Sequence, residues 1–212
     1  HQAFFSSKAR ARRAARSKPW AIGRVSDGAV ATIAGRVAVH GETIEAPLSG
    51  RACVCWSVSV EELLATPHGE SWREILGQSE GTGFLREDGT GRALVRAEDA
   101  EVVLSEDHRF EKGCYGDRCE EIDLFLAEHG QRRRGVLGLD RSLRFVESAV
   151  EPGEEVAVRG LGRWEIDPDP VPVTAAGSYR QAARRLVVTA PAGEPLQLSD
   201  DPLAIRSPSK VE

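Results

Sequence analysis

Four cysteines, five histidines and a turn serine are the side chains in this sequence whose chemistry has to be weighed first. The cysteines fall as Cys53-x-Cys55 and Cys114-x4-Cys119. Structural zinc sites pair two C-x2–4-C knuckles, so the first pair is spaced too tightly for one. A local bridge between Cys114 and Cys119 would need an oxidising compartment. The plainer expectation is four reduced thiols, with Cys53 and Cys55 packed on a strand. The histidines (His1, His40, His68, His108 and His129) are scattered, and neither H-x-x-x-H nor H-E-x-x-H spacing occurs. Ser49, in Leu48-Ser49-Gly50-Arg51, lacks the G-x-S-x-G elbow and has no histidine placed by sequence to activate it. Gly81-Thr82-Gly83 and Gly89-Thr90-Gly91 lack the rest of a phosphate-binding fingerprint and read as turns. The sequence therefore predicts no catalytic residues, no metal ligands and no cofactor.

Charge carries more information. Residues 1–20 hold six basic side chains, Lys8, Arg10, Arg12, Arg13, Arg16 and Lys18, and no acidic one. The other 192 residues hold 22 basic and 33 acidic groups, a net of −11. A basic arm on an acidic body predicts that the arm meets something anionic and the body does not. Near an anionic leaflet each Lys or Arg contributes about 1 kcal/mol, so an anionic membrane surface is the expected partner of these six residues. Nucleic acid is not expected, because its binders need a basic, aromatic-rich face and only 6% of the residues are aromatic. The chain begins at His1 and contains no methionine, so either its start was removed by processing or it is a piece of a longer protein. The arm lies where a juxtamembrane segment would follow a first membrane helix, and a second helix, if there is one, would lie beyond Glu212.

The elements that would position these residues are mostly strands. Alternating Arg and Ala over residues 8–18 suits a short basic helix or a loose arm, ended by Pro19. Ala29–Val39 is β-branched, with Gly35 expected to break it as a bulge or turn. Residues 51–61 alternate cleanly, Val54, Trp56, Val58 and Val60 against Cys53, Cys55, Ser57 and Ser59, which predicts a central strand. Residues 63–71 read as a loop and 105–118 as a polar surface excursion. Residues 83–97 predict a hairpin in which Asp88-Gly89 supplies positive backbone angles at the tip. Residues 120–129 place Ile122, Phe125, Leu126 and His129 at helical spacing. Residues 143–150 and 155–161 read as strands joined at Pro152-Gly153, and 184–190 and 196–198 as closing strands. The sum is a mainly β (α+β) fold: a partly open β-barrel or a sandwich of short antiparallel strands with one or two helices. Three parts are expected, a basic juxtamembrane arm (1–20), a β domain (21–198) and a flexible tail (199–212).

Three stretches in order resemble the GIDE, or beside-a-membrane, family. The first is Gly41-Glu42-Thr43-Ile44-Glu45-Ala46-Pro47-Leu48-Ser49-Gly50-Arg51-Ala52-Cys53-Val54. The second is Phe84-Leu85-x-x-Asp88-Gly89-Thr90-Gly91-Arg92-Ala93-Leu94-Val95. The third is Val150-Glu151-Pro152-Gly153-Glu154-Glu155-Val156-Ala157-Val158-Arg159-Gly160. The resemblance implies a domain held next to a bilayer, of the kind found in mitochondrial outer-membrane E3 ubiquitin ligases. The ligases' RING, with its ladder of Cys and His pairs, has no counterpart in this sequence. Ligase activity is therefore not carried over, and the RING-less bacterial members are the nearer match. Pro47 and Gly50 are expected to turn the chain, Ser49 to bond its own backbone, and Arg51 and Arg92 to pair with Glu45 or Asp88 or to share a polar groove.

Taken together, the sequence predicts a non-catalytic, membrane-associated adaptor or scaffold facing the cytoplasm and serving an unknown protein partner. Two alternatives remain open. One is a barrel of oligonucleotide-binding type for a ligand or nucleic acid. The other is substrate recognition in a ubiquitin-ligase-like system.

Overall fold

A computed structural model describes residues 18–67, 69–98, 100–103, 108–111, 119–132, 141–169 and 183–205. Its strands are β1 (Ala29–Val39), β2 (Ile44–Glu45), β3 (Ala52–Cys53), β4 (Cys55–Thr66), β5 (Gly69–Gly81), β6 (Phe84–Asp88), β7 (Gly91–Val95), β8 (Ala100–Val103), β9 (His108–Glu111), β10 (Leu143–Val150), β11 (Glu155–Ile166), β12 (Arg184–Thr189) and β13 (Leu196–Ser199). The helices are α1 (Cys119–Glu128) and α2 (Pro202–Ile205), with a 3-10 turn at Ile22–Arg24. The fold is mainly β, as the sequence predicts, and its barrel is closed.

Five strands close that barrel in the order β1-β6-β7-β12-β11 and back to β1. Neighbours are antiparallel except β7 and β12, which run parallel. Three consecutive strands are thus followed by a crossed pair, a Greek-key order. β11 is the hub. One edge pairs with β1 over residues 155–162, and the other pairs with β13 over 157–159 and then β12 over 161–166. β8 extends β13 in parallel. Period-2 alternation aims Ile33, Val37, Phe84, Ala93, Val95, Val156, Val158, Leu186 and Val188 into one apolar core.

Long excursions from the barrel build a second layer, the sheet β5-β4-β10-β9. Trp56, Val58 and Val60 of β4 and Leu143, Phe145 and Ala149 of β10 share a second core, covered by Ile122, Phe125 and Leu126 of α1. The chain passes between the two cores at neighbouring places. Cys53 and Trp56 lie in the second core, whereas Val54 and Cys55 between them lie in the first. Alongside, Ala149 belongs to the second core and Val150 to the first, and Val54 N donates to Val150 O at 2.8 Å.

Four sequence expectations are corrected. Residues 63–71 are no loop: β4 and β5 run on as a hairpin, pairing Leu63 with Trp72 and Leu64 with Ser71, because Gly69 (φ +116°) lets the chain reverse at its tip. Within 105–118, His108–Glu111 is a strand, since the outer edge of β10 offers its backbone a ladder partner. Gly35 (φ +152°) does not break β1, whose register to β11 continues through it. A Cβ there would collide with the Arg86 guanidinium, so this glycine makes room inside the barrel. Residues 199–205, expected to be part of a flexible tail, are held. Ser199 ends β13, and Ala204 and Ile205 of α2 pack on Ala34 and Ala157 of the barrel wall.

Candidate functional site

The first and third motif stretches meet in space. Pro47, Ser49 and Gly50 form the turn between β2 and β3, closed by Gly50 N to Ala46 O (2.8 Å) and Ala46 N to Arg51 O (2.9 Å). Gly50 takes φ +68°, a conformation a side chain at that position would strain. Ser49 Oγ accepts from the Arg51 backbone N–H (3.4 Å) and from Arg51 Nε (3.2 Å), so the serine is bound into its own turn. Arg51 Nη1 then reaches Glu151 Oε1 at 2.9 Å, beside Pro152 and Gly153 in the β10–β11 connection. The partner of Arg51 is thus Glu151, not Glu45. In that connection Gly153 has φ +93° and exchanges backbone contacts with β1, Gly153 N donating to Val37 O.

Beneath the turn lies a residue that sequence reasoning missed. Glu147 is completely buried (0% exposed), and its Oε2 accepts the backbone N–H groups of Leu48 (2.7 Å) and Ser49 (3.2 Å). It occupies an inward position of β10, in the row Leu143, Phe145, Glu147, Ala149. An acidic residue in an otherwise apolar alternating row was the available signal. Two buried polar atoms facing this second core, Glu147 Oε1 and Trp56 Nε1, find no hydrogen-bond partner among the described residues. Cys53 neighbours them, its Sγ donating to Ile44 O at 3.5 Å. Burial, reinforced by the Glu147 carboxyl, pushes the Cys53 thiol up to about 11, and burial pushes Cys55 higher still. Both are free, protonated thiols at neutral pH, a poor starting point for nucleophilic chemistry.

The second motif stretch stands apart, in the barrel hairpin β6–β7. Asp88 is its knot. Oδ2 accepts the Ile22 N–H (2.9 Å) and Oδ1 the Thr90 N–H (2.7 Å), with Arg86 Nη1 at 3.7 Å. Gly89 has no positive φ, so the expected positive-angle tip is corrected. The Asp88 carboxylate, bonding two residues onward, organises the turn instead. Gly91 leaves room for the Ile22 side chain, which a Cβ would approach to 3.1 Å. Arg92 pairs with Glu87 (2.7 Å) and Asp167 (3.0 Å) rather than Asp88, tying β7 to the end of β11. Arg51 and Arg92 therefore serve different corners and share no groove.

Of the arm, Lys8, Arg10, Arg12, Arg13 and Arg16 lie outside the described residues, and Lys18 is exposed. Cys114 also lies outside them. No three His, Cys, Asp or Glu side chains come together as a metal-binding group among the described residues. No helix among them is long and apolar enough to cross a membrane. No family model, curated protein or solved structure matches the chain.

Proposed function

We propose that this chain is a non-catalytic module that works against an anionic membrane surface on its cytoplasmic side, as an adaptor or scaffold for a protein partner. The observation that carries this reading is the segregation of charge: six basic side chains and no acid in residues 1–20, against a net of −11 on the remainder. Such an arm is attracted to anionic lipid, whereas the net charge of the body is not, so the arm supplies the long-range attraction. The roles of the motif residues agree with a module that binds rather than reacts. Ser49, Arg51, Asp88 and Arg92 are each engaged in fixing a turn or joining two strands. The test is sedimentation with vesicles of phosphatidylcholine alone or mixed with phosphatidylserine. The chain is expected to bind only the mixture, with affinity falling steeply as salt rises. Equal binding after Arg10, Arg12, Arg13 and Arg16 are all replaced by Ala would end this reading.

A second reading is favoured by one observation, the strand order of the barrel, which is that of oligonucleotide-binding folds. On that reading the module takes up a single-stranded nucleic acid or another ligand. Micromolar binding of an oligonucleotide in physiological salt, followed by fluorescence, is the result that would favour it over the membrane reading.

A further inference from the structure

Trp20 is an exposed aromatic residue with 57% of its surface open, on a fold whose other apolar side chains are mostly interior. Its backbone N–H donates to Thr32 O (2.8 Å), so residues 18–20 lie along the edge of β1 that β6 leaves free. Because Ala31 and Ile33 face the barrel core, Val30 points away from it; Thr32, on the same side, is covered (2% exposed). Val30 is 42% exposed and stands directly opposite Leu161 of β11, which is half-buried. Two outward positions of β11 flank that leucine, Arg159 and Arg163, and neither forms an ion pair among the described residues. The nearby carboxylates are occupied: Asp27 accepts the Trp164 N–H (2.7 Å), and Glu165 is bound by Arg185 (2.7 Å). Close to the strip of β1 that receives residues 18–20, the acidic body thus presents an exposed aromatic ring, the aliphatic side chains of Val30 and Leu161, and two arginines.

We propose that this β1–β11 face, centred on Trp20, is the part of the barrel that seats on an anionic bilayer. The inference rests on the membrane reading above and adds to it which face turns toward the lipid. A tryptophan suits the headgroup region because its ring is apolar and its N–H finds polar partners there. Val30 and Leu161 add apolar area, and Arg159 and Arg163 add attraction to acidic headgroups. A single-stranded nucleic acid fits the face less well. Successive bases need a run of aromatic platforms, and this face offers one ring beside aliphatic side chains.

The experiment uses the full chain, with vesicles of phosphatidylcholine alone, vesicles containing phosphatidylserine, and the latter with brominated acyl chains. Trp20→Ala is expected to weaken binding to the phosphatidylserine vesicles about tenfold. Brominated lipid is expected to quench the emission of the wild type but not that of Trp20→Phe. Val30→Ser, whose side chain points away from the core, gives a second variant with a smaller loss in the same direction. Unchanged melting of Trp20→Ala in the absence of lipid verifies that the barrel is intact. If Trp20→Ala binds as the wild type does while the four-arginine variant does not bind, the membrane reading stands and this face is wrong. If the wild type ignores vesicles, both fall. Oligonucleotide binding that Trp20→Ala abolishes, without vesicle binding, would assign the face to nucleic acid and overturn the proposal.

Discussion

Asp88 is the residue whose surroundings leave the clearest mark on solution behaviour. Burial alone would raise its carboxyl, but the N–H groups of Ile22 and Thr90, the Thr90 hydroxyl and Arg86 together hold it below the usual carboxylate range. A depressed carboxyl contributes stability that is present above the unfolded-state value of about 3.9 and lost as pH falls through the folded one. The wild type is therefore expected to lose stability below about pH 4 more steeply than Asp88→Asn, with melting temperature followed against pH. The two buried cysteines give the opposite sign. Their folded-state values are raised, so their contribution is intact below about pH 8.5 and declines as pH rises, because the unfolded chain ionises first. Neither Cys53 nor Cys55 is expected to react with a thiol reagent at pH 8 until the protein unfolds, which peptide mapping after timed labelling would reveal. That both cysteines are packed in strands was legible, but not their facing: the alternation put Cys53 and Cys55 on one face, whereas Cys53 joins the second core and Cys55, with Val54, the first. The Asp88 turn was legible as a turn but not in its conformation, because Asp-Gly suits several geometries and the local bond to Thr90 with the long-range one to Ile22 chose among them.

At the level of elements, the β2–β3 turn is held by a strand to which sequence reading gave no special role. Glu147 on β10 accepts two of the turn's N–H groups from inside an apolar core. Truncation would leave buried donors unpaired, and Glu147→Ala is expected to cost about 3 kcal/mol by chemical denaturation. Glu147→Gln keeps one acceptor oxygen and is expected to cost less. Should both variants be equally stable to the wild type, the turn is held by its own hydrogen bonds instead. Element type was legible at the 83–97 hairpin and the 120–129 helix, but the one strand expected over 51–61 is two, β3 and β4, broken at Val54, whose side chain joins the first core while Trp56, Val58 and Val60 join the second. It failed at 63–71 and at 108–111, where local sequence is polar and partner strands supply the order. Pairings between distant elements, such as Arg51 with Glu151 across 100 residues, leave no trace in local pattern.

For the whole molecule, the adjacent chain crossings decide how the two cores behave. Residues 53–56 and 149–150 each contribute side chains to both cores and are hydrogen-bonded to one another. Neither layer can lose its packing without disturbing the strands that complete the other. A single cooperative unfolding transition is expected, with near-ultraviolet dichroism, which reports Trp56 in one core, and far-ultraviolet dichroism coinciding. Two separated midpoints would show that the layers are independent. The mainly β class was legible from glycine-punctuated apolar runs. The crossed strand order was not, since nothing in β7 or β12 alone announces that they will lie side by side in parallel.

The strip of β1 that receives Trp20 at Thr32 also receives α2 at Ala34, two positions further along. The first and last described segments of the polypeptide therefore meet neighbouring points on one wall. Such an arrangement tolerates rewiring: a short tether from residue 205 to residue 18, with new termini opened at the β4–β5 tip, would preserve every ladder of the barrel.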